Sequence, residues 1–263
     1  MKKLFGFTLA EVLVTLGIIG VVAALTTPAL VTNVRRQGYA ATLRSTVTDL
    51  ETAFGNAIAT EQADTLFGTS LWTNVPNAGS FNANANINQK RTFVTSLSRY
   101  LRNNGAELNL NSITFYTNAD TNAHAISRSG GTGAVTTLMN DGTGLGIPIK
   151  LKNGAVMFIR MFSDNAVARE GAEGHDGGNL NAADIFVDVN GTSAPNTVGR
   201  DIFGFYLTEN GELLPCGGTV LFEAGEFDRH WRDNCVPGNL GVNDWGGWSC
   251  TGRLVENGYV FDY

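Results

Sequence analysis

The sequence predicts an α+β fold in which one long N-terminal helix packs by its C-terminal half against an antiparallel β-sheet. The first observation is an apolar run that passes directly into an amphipathic helical pattern and continues to about Thr60. The second is a shorter hydrophobic period beyond Gly105, where apolar segments alternate with Gly and Asn turns. A sheet on the amphipathic half of the helix buries the apolar faces of both elements.

The chain begins with an apolar stretch, Gly6 to Leu30, that is long enough to form a membrane helix. Between Phe7 and Val34 the only charged side chain is Glu11, and a run of this length crosses a hydrocarbon core of about 30 Å. A charge within such a helix costs about 2.5 to 3.5 kcal/mol on insertion scales. We therefore expect Glu11 to have a partner and a function.

The residues at the start of this helix resemble the class III leader of type IV pilins and type II secretion pseudopilins. Lys2 and Lys3 are followed by Gly6-Phe7-Thr8-Leu9-Ala10-Glu11 and then by the apolar helix. In that family a membrane prepilin peptidase cuts after the glycine and methylates the new N-terminal residue, which would be Phe7 here. A secretory signal peptide differs, because its cleavage site follows the apolar segment.

The same resemblance implies an assembly role for Glu11 and Pro28. In that family the partner of the glutamate is the amine of the first mature residue on a neighbouring subunit, which would be Phe7 here. Such an ion pair would set the axial register between subunits even if its net stabilisation were near zero. Pro28 removes a backbone donor, so the sequence predicts a kink or local melting between Ala24 and Pro28. Subunits of these filaments often lose helicity near the matching proline, which points the same way.

The charges that flank the apolar run indicate its orientation. Lys2 and Lys3 precede the run, whereas Arg35 and Arg36 follow it. The first helix and its leader lysines usually decide topology, so we expect a single-pass protein of the inner membrane with its head outward.

The pattern along the chain divides it into five segments. We expect a cleaved leader at 1–6, a transmembrane and polymerisation helix at 7–34, an amphipathic spine helix at 35–61, a variable loop with a short helix at 62–110, and a sheet-containing head at 111–263. The predicted strands are Ser112–Thr117, Ile147–Leu151, Ala155–Phe162, Asp184–Val189, Ile202–Thr208 and Glu212–Leu214, and the short helix is Lys90–Asn103. Asn153-Gly154 and Asn210-Gly211 are typical of tight hairpin turns.

Composition limits the partners and the covalent chemistry of the head. The net charge of −6 argues against nucleic acid as a partner. The cysteines, Cys216, Cys235 and Cys250, indicate one disulfide and one free thiol after export. Cys235 with Cys250 is the preferred pair, and Cys216 with Cys235 is nearly as good. A zinc site is disfavoured because there is no CxxC motif.

The segment DVNGTSAPNTVGRD, together with the strand before it, concentrates oxygen-bearing side chains. Asp184, Asp188, Asn190 and Asp201 provide carboxylate and amide oxygens, which are ligands that calcium prefers. Their spacing does not fit an EF-hand. Major pseudopilins carry a calcium loop in their C-terminal region, but a turn in which Asp and Asn side chains cap backbone amides is the favoured interpretation. Apart from calcium, we expect no cofactor.

The remaining patterns do not indicate an enzyme. No serine lies in a nucleophile-elbow motif, and the histidines are scattered. The aromatic tail from Asp228 to Tyr263 either staples the C-terminal segment to the sheet, which we prefer, or forms a surface for a glycan or protein partner.

These features, with the family resemblance, predict a structural subunit of a type IV pilus or type II secretion pseudopilus. Its partners would be copies of itself, minor pilins or pseudopilins, the prepilin peptidase and the inner-membrane assembly platform. It would leave the membrane for a cell-surface or periplasmic filament. The alternative is a membrane-anchored extracellular binding or enzymatic domain that does not assemble.

Overall fold

The computed structural model describes most of the helical N-terminal region and the greater part of the sheet. The described residues are 8–74, 87–101, 106–108, 147–161, 181–191, 193, 197–223, 230–238 and 246–263. Contacts within the chain define two compact units, Met1–Gly38 and Tyr39–Tyr263. The boundary lies close to the one predicted between residues 34 and 35.

Helix α1 extends from Leu9 to Glu61 and confirms the single long helix predicted from the sequence. We call residues 9–34 its apolar segment and residues 39–61 its spine segment. The sequence predicted a kink or local melting near Pro28; local melting is absent from the single chain, because α1 is helical through Pro28. A proline removes one backbone donor, and the hydrogen bonds of the long helix on both sides keep it continuous.

The spine segment buries one face in the core of the globular unit. Its fully or almost fully buried residues recur at helical spacing and are Ala40, Leu43, Thr46, Val47, Leu50, Ala53, Phe54 and Ala57. Apart from Ala40 and Thr46, they share a hydrophobic core with apolar side chains of the strands and of the short helices. This burial is the physical reason that the amphipathic pattern continues after the apolar run ends.

Short helices follow α1. They are a 3₁₀ helix at Leu66–Gly68, α2 at Ser70–Thr73 and α3 at Ile87–Tyr100. Glu61 joins them to the end of α1, because its carboxylate accepts hydrogen bonds from the Ser70 amide at 2.6 Å, the Ser70 hydroxyl at 2.6 Å and the Tyr100 hydroxyl at 2.5 Å. Helix α3 corresponds to the helix predicted at Lys90–Asn103.

The strands form one antiparallel sheet whose spatial order follows the chain. They are β1 at Ala106–Leu108, β2 at Ile147–Leu151, β3 at Val156–Met161, β4 at Asn181–Asp188, β5 at Ile202–Thr208 and β6 at Leu213–Pro215. The Asn-Gly hairpins are confirmed, since Gly154 and Gly211 have φ values of 92° and 91°. Strand β1 was not predicted, and the predicted strand at 112–117 lies outside the described residues.

Polar contacts connect the spine segment to the turns and the edge of the sheet. The Asn153 side-chain amide donates to the Thr46 hydroxyl at 2.8 Å, beside the β2–β3 turn. The Leu213 amide, on edge strand β6, donates to Glu51 Oε1 at 3.1 Å. These bonds satisfy polar groups that surround the apolar contact between helix and sheet.

The chain after β6 contains helices that were not predicted from the sequence. They are α4 at Thr219–Glu223, α5 at Trp231–Asn234 and α6 at Gly246–Glu256. Helix α6 lies against β5, where the Gly204 amide donates to the Thr251 hydroxyl at 3.0 Å. A Cβ atom at Gly204 would lie 2.8 Å from the Trp248 ring, so this close approach requires glycine.

Candidate functional site

The apolar segment of α1 exposes large hydrophobic side chains along its length. Leu13, Ile19 and Leu25 are 61%, 63% and 75% exposed. Among the described residues, α1 is the one helix that is long and apolar enough to cross a membrane, and its most apolar window has no buried residue. Exposure of this extent requires an apolar environment outside the chain, such as a bilayer or other helices.

Glu11 lies in the first turn of this segment and is held by Thr8. The Thr8 amide donates to Glu11 Oε2 at 2.7 Å, and the Thr8 hydroxyl donates to the same oxygen at 2.9 Å. The Glu11 amide in turn lies 3.2 Å from the Thr8 hydroxyl oxygen, which accepts from it. This reciprocal arrangement is a capping box, and it satisfies orphan amides at the helix start.

Thr8 is a site residue that the sequence reasoning missed. The pattern Thr-x-x-Glu before an apolar run is a known signature of a capping box and was available in the sequence. Gly6 and Phe7, the predicted processing residues, lie outside the described residues. Pro28, the other predicted assembly residue, lies inside α1.

The predicted acidic loop places two buried carboxyl groups near each other where β4 ends and β5 begins. Asp188 and Asp201 are both 0% exposed. Asp188 Oδ1 accepts from the Asn190 amide at 3.2 Å, and Asp201 Oδ1 accepts from the Thr197 amide at 2.5 Å. These are the backbone caps that the favoured turn interpretation describes.

The turn does not provide a hydrogen-bond partner for the second carboxylate oxygen of Asp188. Asp188 Oδ2 is buried and has no hydrogen-bond partner. Burial and the nearby charge of Asp201 raise the pKa of Asp188 well above its ordinary value, although the amides of Asn190 and Gly191 oppose them. A cation beside Asp188 would relieve the same electrostatic cost.

The structure does not bring all four predicted calcium ligands together. Asp184 lies four residues before Asp188 on β4, a separation of about 13 Å along a strand. The Asn190 side-chain amide donates to the Tyr39 hydroxyl at 3.1 Å. Within the part of the chain that the structure describes, no three His, Cys, Asp or Glu side chains converge as a metal site. The candidate is therefore reduced to Asp188, Asp201 and their neighbours.

The cysteines and aromatic residues of the tail hold the C-terminal segment against the sheet. Cys235 and Cys250 form a disulfide, whereas Cys216 is a buried free thiol whose pKa is raised by burial. The Trp248 ring lies 4.9 Å from the Phe186 ring, and the Phe261 and Phe203 rings are 6.3 Å apart. These contacts favour the stapling interpretation of the aromatic tail.

Comparison with known proteins identifies the class of the N-terminal region. The family model described as the prokaryotic N-terminal methylation motif matches residues 1–27. The chain therefore carries the N-terminal class III signal that is found in type IV pilins and pseudopilins. Neither the comparison with curated proteins nor the comparison with solved structures finds a match.

Proposed function

We propose that this chain is a structural subunit of a type IV pilus or type II secretion pseudopilus. The observation that carries the proposal is the exposed apolar segment of α1, which begins at a methylation motif and has Glu11 in its first turn. Every residue of this segment is exposed within its own chain. Bundling with identical segments would bury it, after a stage in which the bilayer does so.

The proposed sequence of events starts at the leader. Prepilin peptidase cuts after Gly6 and methylates Phe7, and the new amine carries a positive charge next to the capping box. Glu11 is exposed in the single chain, so its carboxylate can accept this amine from a neighbouring subunit while Thr8 still donates to it. The pair then sets the axial register of the bundle.

The partners follow from the same steps. They are copies of this chain, minor pilins or pseudopilins, the prepilin peptidase and the inner-membrane assembly platform. The chain would first lie in the inner membrane with its head outward and then in a periplasmic or cell-surface filament. We infer a mechanical rather than an enzymatic role.

Processing is tested by mass spectrometry of the mature N-terminus. We expect methylated phenylalanine at position 7 in the unchanged chain and retention of Met1 in Gly6→Ala. Gly17→Ala is the matched control, because a Cβ at Gly17 meets no atom within 4 Å. A mature protein that begins at Met1 in cells with an active peptidase would contradict the proposal.

Assembly is tested by Glu11→Ala, which we expect to be processed but excluded from filaments. Glu212→Ala removes an exposed carboxylate of the globular unit and should assemble normally. If neither chain forms filaments, and Glu11→Ala is displayed at the surface and binds an extracellular ligand as well as the unchanged chain does, the alternative of a membrane-anchored binding domain is supported instead.

A second proposal concerns calcium at Asp188 and Asp201, and the buried Asp188 Oδ2 supports it. Calcium would neutralise the carboxylate pair and tie the end of β4 to the start of β5. We expect calcium at a hundred times its Kd to stabilise the fold by about 2.7 kcal/mol. Calcium should therefore raise the melting temperature of the unchanged chain and of Asp184→Asn, but not of Asp188→Asn. An identical melting temperature with calcium and with chelator removes the proposal.

A further inference from the structure

Asn-Gly pairs recur in the turns of the globular unit. The sequence contains five of them; the structure describes those that begin at residues 153, 190, 210 and 257, and the pair at 104 lies outside the described residues. An asparagine before glycine is chemically labile, because the following amide nitrogen can attack the side-chain carbonyl carbon and glycine has no Cβ to obstruct it. The side chain must first turn toward that amide, so hydrogen bonds that hold it elsewhere protect it.

Two of the pairs provide a matched comparison, because their backbones are alike. Asn153-Gly154 joins β2 to β3, and Asn210-Gly211 joins β5 to β6. The glycine φ values are 92° and 91°, and each glycine amide donates to the carbonyl oxygen three residues earlier at 3.0 Å. Both asparagines are exposed. A difference in their reactivity must therefore come from the asparagine side chains.

The side chains of these two asparagines are held very differently. The Asn153 side-chain amide donates to the Thr46 hydroxyl at 2.8 Å, and its Oδ1 accepts from the Ala155 amide at 3.1 Å. The side chain of Asn210 has no hydrogen bond to any described residue. Asn153 must therefore lose two hydrogen bonds before it can react, whereas Asn210 loses none.

The other described pairs are also restrained. The Asn257 side-chain amide donates to the Val260 carbonyl oxygen at 2.9 Å. The Asn190 side-chain amide donates to the Tyr39 hydroxyl at 3.1 Å. Among the described pairs, Asn210 is thus the one that combines an exposed position with an unrestrained side chain.

We propose that Asn210 is a site of spontaneous deamidation in the folded protein. The Gly211 nitrogen attacks Cγ of Asn210, the bond from Cγ to the side-chain nitrogen breaks, and the proton of the Gly211 amide leaves with that nitrogen as ammonia. Water then opens the succinimide ring at either carbonyl and gives aspartate or isoaspartate at position 210. No oxidant or cofactor is needed, and the inference does not depend on the proposed function.

The isoaspartate product would disturb the contacts of this turn. It places an additional methylene group in the main chain, where the turn lies close to α1. A Cβ atom at Gly211 would lie 3.1 Å from Phe54 Cβ, and the Glu209 carbonyl oxygen accepts from the Leu66 amide at 2.8 Å. A longer turn cannot keep both contacts, so we expect the deamidated globular unit to melt at a lower temperature.

The full-length chain in detergent, incubated in mildly alkaline buffer, tests the proposal. Peptide mapping by mass spectrometry follows each Asn-Gly pair with time, and isoaspartyl methyltransferase labels the isoaspartate. We expect deamidation about twentyfold faster at Asn210 than at Asn153, because two hydrogen bonds protect Asn153. In urea the pairs should react at similar rates. Equal rates in the folded chain overturn the proposal, as does a twentyfold difference that persists in urea.

Two variants separate the side-chain restraint from other causes. Thr46→Val removes the acceptor of the Asn153 side chain and should raise the rate at Asn153 about fivefold without changing the rate at Asn210. An unchanged rate at Asn153 overturns the role of the hydrogen bonds. Asn210→Gln forms a ring of six atoms much more slowly, so it should abolish the isoaspartate label in this turn and the fall in melting temperature with time. A fall that persists in Asn210→Gln overturns the assignment to Asn210.

Discussion

The apolar and spine segments of α1 use similar residues but place them in opposite surroundings. Leu13 and Leu25 in the apolar segment are 61% and 75% exposed, whereas Leu43 and Leu50 in the spine segment are 0% exposed. Burying a leucine side chain is worth about 1.5 to 3 kcal/mol. The spine segment obtains this stabilisation from its own chain, and the apolar segment must obtain it from a membrane or from other subunits.

The acidic side chains of the two segments differ in the same way. Glu11 is held by Thr8, which lies three residues away. Glu51 accepts from the Leu213 amide, which is 162 residues away in the sequence. The partner of Glu11 lies within the same helix turn, whereas the long-range partner of Glu51 is part of the tertiary fold.

The largest expected effect comes from the same substitution made in each segment. Leu50→Ala removes a fully buried side chain and should lower the free energy of unfolding by about 2 to 5 kcal/mol. Leu16→Ala, at a position that is 60% exposed, should leave the unfolding of the globular unit unchanged. Chemical denaturation in detergent, followed by tryptophan fluorescence, measures both variants. Equal destabilisation by the two substitutions would remove the distinction between the segments.

The disulfide provides a second test of this comparison, because it lies in the globular unit and its removal should change the stability of that unit alone. Cys235 and Cys250 are 15 residues apart, and a loop of this size contributes about 3 kcal/mol in the chain-entropy model. Cys235→Ser should lower the melting temperature of the globular unit and leave the helix content of the apolar segment unchanged. Reduction of the unchanged chain is the control and should reproduce the loss. A melting temperature that is insensitive to both treatments would contradict this prediction.

The smallest expected effect is a pH dependence at Glu256. Burial raises the pKa of Glu256, but hydrogen bonds from Thr219 and Trp231 outweigh it and hold the pKa below its ordinary value. The stabilisation is therefore complete above the unfolded-state pKa and is lost as the pH falls through the folded-state pKa. Because Glu256 is exposed, we expect less than about 1 kcal/mol.

Glu256→Gln tests this pH dependence. The variant should be less stable than the unchanged chain at pH 7, and the difference should shrink as the pH falls below about 4, as measured by thermal melting. A Glu212→Gln control removes an exposed acid elsewhere in the globular unit. A difference that grows at low pH would show that the sign is wrong.

Local signals account for the elements that could be predicted. Helix α1 follows from a long helical period, β5 follows from an apolar run between turns, and the Asn-Gly hairpins follow from backbone chemistry. Helix α6 could not be predicted in this way. Its segment begins with Gly-Gly and contains Ser, Cys and Thr, which have low helix propensity.

Tertiary contacts explain why this segment is nevertheless helical. Trp248 packs on Phe186, Cys250 is bonded to Cys235, and Thr251 accepts from the Gly204 amide. Phe186 and Gly204 come from distant parts of the chain, so the sequence around α6 does not contain the main reason for its conformation.

The sequence by itself determined the long helix and its methylation motif, because these depend on residues that are close together in the chain. The tertiary structure decided that Asp188 lies near Asp201 while Asp184 lies farther along β4, and that α6 packs against β5. The reason is that the pairing of strands and the burial of faces depend on contacts between residues that are far apart in the chain, and local patterns do not specify those contacts.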